Sequence, residues 1–476
     1  AREVVLSDHI ADVGAQMVKQ VAHKVAQLAG DGTTTATVLT QEIFNRGLKA
    51  VATGANPIEL KRGMDAALTE IVAALSQSSI PVKDLTHIHQ VATISANNDE
   101  SMGALITQCM EAVGFDGIIT VEQSKSAETY VDIVEGMQFK SGYLSPYFIN
   151  SNEKPQVEFE NALILLVDGK VSVLNDIVQF LEYSNQKGRP LLVISESVDG
   201  DALNTMVLNK LRGTIKAAAV RAPGFGELRK ENLDDIAILT GAKTISEREG
   251  YSLAETIASE VLGSATKVIV TADSTTIIGG EGSQDSIKER ISDINAQIEN
   301  STNESATLIL KERLARIDGG VAIIKVGAHS EIEMREKIDR IDDAIGATRA
   351  AVEEGIVVGG GVALCKIAED LTPTIAQTQN FEHRLGRTIL LESCLAPFRV
   401  ILTNAGESPD AILSEMKNRG QEYNVKTREY CNFIDSGIID PAKVARVAIE
   451  NAVSIASMML TTEVLMVQDP PTETKA

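Results

Sequence analysis

The sequence predicts a multidomain α+β protein, helical at both ends with an α/β segment between them. Three observations predict it. Apolar residues recur every three or four positions through the first third of the chain. Short β-branched runs alternate with helical stretches in the middle, and an alanine-rich helical pattern returns from Ile341. At 476 residues the chain is long enough for two or three well-buried cores.

Val13, Met17, Val21, Val25 and Leu28 form one stripe of a helix over 11–29. Gly30 stops it, because glycine tolerates the left-handed conformation of a C-terminal cap. A second helix is expected over 33–51 and a third after Asn56-Pro57, where proline suits a first turn. In the middle, 162–167 (Ala162-Leu163-Ile164-Leu165-Leu166-Val167), 191–194 and 266–270 read as strands, with a helix over 199–212. Residues 283–317 read as a helical hairpin: Ile287, Ile291, Ile294 and Ile298, then Leu308, Leu310 and Leu314, with a break near Ser301-Thr302-Asn303. The last helical region is broken by Gly359-Gly360-Gly361 and resumes over 441–460 behind Pro441. Periodicity permits the two helical ends to form one domain without requiring it.

Composition excludes several classes. Hydrophobic residues at 44% and charged residues at 23% describe a globular chain rather than a disordered one. A net charge of −22 argues against a nucleic-acid partner, which needs clustered Lys and Arg. No apolar run approaches the ~18 residues of a membrane span, so no membrane is expected. The chain opens at Ala1-Arg2-Glu3 with no basic, apolar signal segment, and targeting is not readable from it. Cys109, Cys365, Cys394 and Cys431 show neither CxxC nor zinc spacing, which fits a reduced intracellular compartment. His87 and His89 form an HxH without further ligands at metal spacing and read as structural.

The sharpest local signal is Gly30-Asp31-Gly32-Thr33-Thr34-Thr35-Ala36-Thr37 between two helices. Glycines let the backbone turn its amides to one point, and a helix N-terminus adds donors and a positive dipole end. Threonine hydroxyls suit phosphate oxygens, and Asp31 offers a hard oxygen for magnesium. Ordinary helix capping is the competing reading, but three threonines exceed what a cap requires. No GxxxxGK(S/T) loop occurs. A second cluster joins Asp342-Asp343 to Gly359-Gly360-Gly361: adjacent carboxylates suit a solvated face, and three glycines suit either ligand approach or a tight helix crossing. A third, Gly142-Tyr143-Leu144-Ser145-Pro146-Tyr147-Phe148, concentrates aromatics in a chain only 4% aromatic, for core packing or for an apolar patch facing a partner.

These blocks, with Ala222-Pro223-Gly224-Phe225-Gly226 and Ala347 to Gly361, together resemble group I chaperonins, the 60-kDa heat-shock protein class, collinearly over nearly the whole chain. The resemblance implies a mainly helical equatorial domain from both chain ends (1–78 and 355–476), a small intermediate domain (79–134 and 322–354) and an α/β apical domain (135–321). It implies ATP, Mg2+ and K+ as cofactors. By position, Asp31 is similar to the magnesium-holding aspartate, and Gly32, Thr33, Thr34 and Thr35 to the phosphate cradle. Asp343 is similar to the acid that positions the attacking water; a carboxylate is a weak base, so alignment matters more than proton affinity. Ile94, Ser95, Gly359, Gly360, Asn424, Val425, Ile438 and Asp440 are similar to the remaining nucleotide contacts. Tyr143, Tyr147, Phe148, Val178, Leu181, Leu203, Val207 and Leu208 are similar to the client-binding positions, and Pro81, Gly136, Gly320 and Gly355 to the hinges.

The resemblance further implies non-native polypeptides as clients, a 10-kDa co-chaperonin lid, homo-oligomers of two stacked seven-membered rings, and a location in the bacterial cytoplasm or inside a mitochondrion or plastid. The family's second phosphate loop and a further metal-proximal aspartate precede the first residue here, so the expectation is a piece of a longer chain. The family's Gly-Met-rich tail is replaced by Asp469-Pro470-Pro471-Thr472. Ser141 stands where the family often has a basic residue, whose acidic partner on a neighbouring subunit would be Glu331. An ATP-independent holdase or inactive truncated paralogue is the alternative expectation, and a metabolic ATPase or kinase is the weakest.

Overall fold

The computed structural model describes residues 6–464 except 83, 116, 125, 152–153, 247–249, 251–252 and 302. The polar tail at Asp469–Thr472 and the opening Ala1-Arg2-Glu3 lie outside the described residues. The chain folds into two compact units, one of Ala1–Gln108, Gln123–Glu128 and Val326–Ala476, the other of Cys109–Glu122 and Thr129–Lys325.

The first unit is helical, and both chain ends contribute to one core. Helix His9–Ala29 starts where the Asp8 side chain accepts the Ile10 and Ala11 amides, and ends at Gly30 with φ +78°. Thr33–Ala52 and Pro57–Ser78 follow, the second capped by Asn56. From the other end of the chain, Phe381–Ser393 lies on Pro57–Ser78, and Ala442–Thr461 lies on Thr33–Ala52. The first pair crosses closely through glycines: a Cβ on Gly63 would stand 2.2 Å from the His383 carbonyl oxygen, and one on Gly386 2.2 Å from that of Leu60. Leu39, Ile43, Leu60, Met64, Ile71, Leu390 and Ile449 are fully buried in this shared core. Ala442–Thr461 is, by length and composition, apolar enough to cross a membrane, which corrects the expectation that no run approaches that length. More than half of its most apolar window is buried against its neighbours, as in the core helix of a globular unit.

The second unit is built on a six-stranded sheet in the order Gly136–Phe139, Thr275–Gly280, Gly263–Val270, Val157–Val171, Leu191–Val198, Ala217–Arg221. The last three strands are parallel and the other pairings antiparallel. Leu191 to Ile194 are fully buried without alternation, as a central parallel strand covered on both faces requires. Helices Gln284–Asn300 and Glu304–Asp318 form the hairpin expected from the isoleucine spacing. Arg313, only 1% exposed, ties the second of them to helix Glu227–Thr240 through two bonds to Asp235, at 2.8 and 2.9 Å. A three-stranded sheet of Ile118–Gln123, Val321–Val326 and Tyr130–Val134 escapes the sequence reading, because its short strands are interrupted by polar residues.

Cys109, Cys365 and Cys394 are buried free thiols. Burial pushes all three up, the first two to about 12, so they stay protonated and unreactive at neutral pH.

Candidate functional site

The turn between the first two helices is shaped by glycine. Gly30 and Gly32 have φ of +78° and +88°, a region that L side chains rarely adopt. Gly32 is the N-cap of Thr33–Ala52, and no side chain caps that end, so its first amides have neither an intrahelical nor a side-chain partner. Among the described residues the hydroxyls of Thr33, Thr34 and Thr35 have no hydrogen-bond partner, whereas Thr37 donates to the Thr33 carbonyl at 2.8 Å. Asp31 accepts the Gly32 amide at 2.5 Å. A simple cap would spend these groups locally; here they remain available.

A second glycine-led helix start belongs to the same site. Strand Ile356–Val358 pairs with Ile439–Pro441, placing Val357 opposite Asp440. Gly359 donates to the Ile438 carbonyl at 3.0 Å. Gly360 and Gly361 turn with φ of +66° and +76° into helix Val362–Leu371, which likewise has no side-chain cap. Asp440 accepts the amides of Gly360 and Gly361. Burial pushes its carboxyl up to about 7, the nearby charge of Asp31 adds to the rise, and those two amides oppose it. Two carboxyl groups and two uncapped helix N-termini therefore share one small region.

Helix Glu331–Glu354 brings Asp343 to this turn. A Cβ on Gly346 would stand 2.6 Å from the Cα of Gly30, and one on Gly30 2.4 Å from the Cα of Gly346, so the two backbones are in direct contact. Asp343 is exposed and lies three residues before Gly346, hence on the same helix face and roughly 4.5 Å along the axis. Asp342 is half-buried beside it.

The remaining candidates also lie in the first unit. Val425 and Ile438 pack on the apolar cluster containing Phe433, which lies under Gly360. Ile94 and Ser95 end helix Leu85–Ser95, which packs against Ile439–Pro441. The Asn424 side-chain oxygen accepts the Lys426 and Thr427 amides, at 2.9 and 3.3 Å, and so holds the hairpin turn that displays Val425. Two contributors lie beyond the individually named nucleotide contacts. Gly361, read from sequence only as part of the glycine run, supplies an amide to Asp440. Gly346 was detectable as a glycine inside a helical pattern.

The client-binding candidates gather in the second unit, and the structure sorts them. Helices Leu174–Lys187 and Gly200–Leu211 pack side by side, carrying Val178 and Leu181 on one and Leu203, Val207 and Leu208 on the other. Tyr147 and Leu208 are 63% and 52% exposed, and Tyr143, Val178, Leu203 and Val207 are half-buried. Phe148 and Leu181 are corrected: at 0% and 7% exposure they belong to the core and offer no surface. Phe148 ends a short 3-10 turn begun by Ser145 and Pro146, which points Tyr147 outward and Phe148 in. Val173 and Leu211, both exposed at ends of the same two helices, were not singled out from sequence.

The four hinge candidates form two adjacent pairs. Pro81 follows Ile80, which exchanges two 2.8 Å backbone bonds with Ile356, next to Gly355. Gly136 and Gly320 flank the paired residues Val134 and Val321. Among the described residues no group of three His, Cys, Asp or Glu side chains forms a cage for a metal. Residues 4–470 match the TCP-1/cpn60 chaperonin family. With that match spanning both units, the chain belongs to the TCP-1/cpn60 chaperonins, a family of folding chaperones that bind non-native proteins and form oligomeric rings.

Proposed function

We propose that the chain is a subunit of a group I chaperonin that binds and hydrolyses Mg-ATP and couples this to the capture and release of non-native proteins. One observation carries the reading: two helix N-termini without side-chain caps, led by Gly32 and Gly361, meet beside Asp31 and Asp440. The unpaired hydroxyls of Thr33, Thr34 and Thr35 and the uncapped amides of the Gly32-led end suit phosphate oxygens, and Asp440, held by the Gly360 and Gly361 amides, suits ribose hydroxyls. The residues fit magnesium, which takes one or two carboxylates and completes its shell with phosphates and water, so no three-residue cage is needed. Asp31 would hold the ion, which neutralises phosphate charge when bound. Asp343, one turn from the Gly30–Gly346 contact, orients the attacking water.

The groove between Leu174–Lys187 and Gly200–Leu211 takes apolar client segments on Tyr143, Tyr147, Val178, Leu203, Val207 and Leu208. Each side chain buried there contributes about 1.5–3 kcal/mol. Association costs roughly 4–15 kcal/mol, which leaves a single groove a weak and promiscuous binder. A ring of grooves multiplies avidity, and ATP releases the client by favouring a state whose grooves bind it less well. Two stacked seven-membered rings with a small co-chaperonin lid, in the bacterial cytoplasm or an organelle interior, complete the proposal.

Steady-state phosphate release from MgATP tests it, with Asp343→Ala as the control. The expected result is slow hydrolysis that falls at least a hundredfold in the variant while nucleotide binding persists. Absence of hydrolysis in assembled wild-type rings would instead make the chain a passive holdase acting through its groove.

A further inference from the structure

We infer that Gly346 is a positioning residue, whose missing side chain lets helix Glu331–Glu354 rest on the 30–32 turn and thereby sets the distance of Asp343 from the phosphate cradle. The inference rests on the role proposed for Asp343. Gly346 sits mid-helix without a positive φ, so its own backbone conformation does not call for glycine. Glycine at such a site costs roughly 0.5–1 kcal/mol relative to alanine. The offsetting feature is the contact: a Cβ at 346 would meet backbone atoms of Gly30 at 2.6 and 3.5 Å, and backbone cannot swing aside as a side chain can. Gly14, also mid-helix, has nothing within 4 Å of the place a methyl would take and no comparable role.

The helix is anchored on the far side of this contact. Arg446 pairs with Glu354 through Nε at 2.9 Å, and Lys443 pairs with Glu353. Arg340 approaches Asp99 at 4.0 Å on the other side of Asp343, so a methyl at 346 displaces the helix segment between these two ends, Asp343 included. The 2.6 Å approach falls short of ordinary van der Waals contact at 3.4 Å, so the segment must shift by about 1 Å. A displacement of about 1 Å costs on the order of a hundredfold in a step that depends on alignment. The cradle itself, made by 31–35 and 359–361, keeps its own residues and loses only its backing at Gly30, so turnover suffers far more than nucleotide affinity.

The test compares wild type, Gly346→Ala, Asp343→Ala and the double variant in steady-state phosphate release over a range of ATP concentrations. Hydrogen exchange is followed in peptides spanning 29–36, and Gly14→Ala serves as the control for adding a methyl to a helix. In Gly346→Ala, kcat is expected to fall at least tenfold with half-saturation within twofold of wild type. The double variant is expected to be no slower than Asp343→Ala, exchange over 29–36 to speed at least fivefold, and Gly14→Ala to leave both readouts alone. A smaller fall in kcat, or a fall matched by weaker nucleotide binding and a lower Tm, overturns the inference and leaves Gly346 merely structural. If wild type does not hydrolyse ATP, the role of Asp343 fails separately. Exchange over 29–36 then decides the Gly346 contact alone, and unchanged exchange overturns it.

Discussion

Neighbouring residues in this chain have opposite fates that side-chain chemistry alone does not announce. Tyr147 and Phe148 are both aromatic and both follow Pro146, yet one is exposed and the other fully enclosed. Phe148→Ala should cost about 3–5 kcal/mol, through lost burial and the cavity left behind. Tyr147→Ala should change stability by no more than about 0.5 kcal/mol while weakening capture of a chemically unfolded protein. Denaturant melts paired with a client-aggregation assay separate the two; equal stability losses would mean that Tyr147 is also a core residue. Glycine is equally context-bound. Gly32 is legible from its turn, but the need for glycine at 346 comes from Gly30, more than 300 positions away in sequence.

At the level of elements, the strands of the small sheet in the second unit are tied by a charged triad. Glu122 on Ile118–Gln123 accepts from Lys267 at 2.9 Å and also from Lys325 on the central strand. Burial alone would raise its carboxyl, but hydrogen bonds from the two lysines outweigh it and hold the group below its ordinary value of 4.5. Its folded-state pKa being depressed, its stabilisation is present above about 4.5 and is lost as pH falls through the lowered value. Glu122→Gln should therefore cost roughly 1–2 kcal/mol near neutrality. It should also flatten the acid limb of the stability profile. Thermal melts between pH 3 and 7 check this, and an unchanged acid limb would show that Glu122 does not carry it. The same sheet illustrates a limit of sequence patterns: five- and six-residue strands with exposed polar positions give no clean alternation, and only pairing with Val321–Val326 defines them.

At the level of the whole molecule, among the described residues the buried members of the core beneath the six-stranded sheet run from Met137 to Ile317. A fragment of residues 135–321 should therefore fold alone and melt cooperatively, with Phe148→Ala lowering its Tm. A broad, non-cooperative melt would show that the rest of the chain is needed to close that core. The sequence by itself determined the long helices, the parallel strands, the glycine-threonine turn at 30–37 and the family resemblance. Each rests on local signals: apolar spacing, caps, glycines at positive φ and short runs of fixed residues. The tertiary structure alone decided that both chain ends share one core, that Phe148 and Leu181 are buried, and that Asp31, Gly361 and Asp440 converge. It also decided that Gly30 and Gly346 touch. Those facts depend on which distant surfaces pack together, and packing is fixed by the complementarity of whole faces rather than by any run of neighbouring residues.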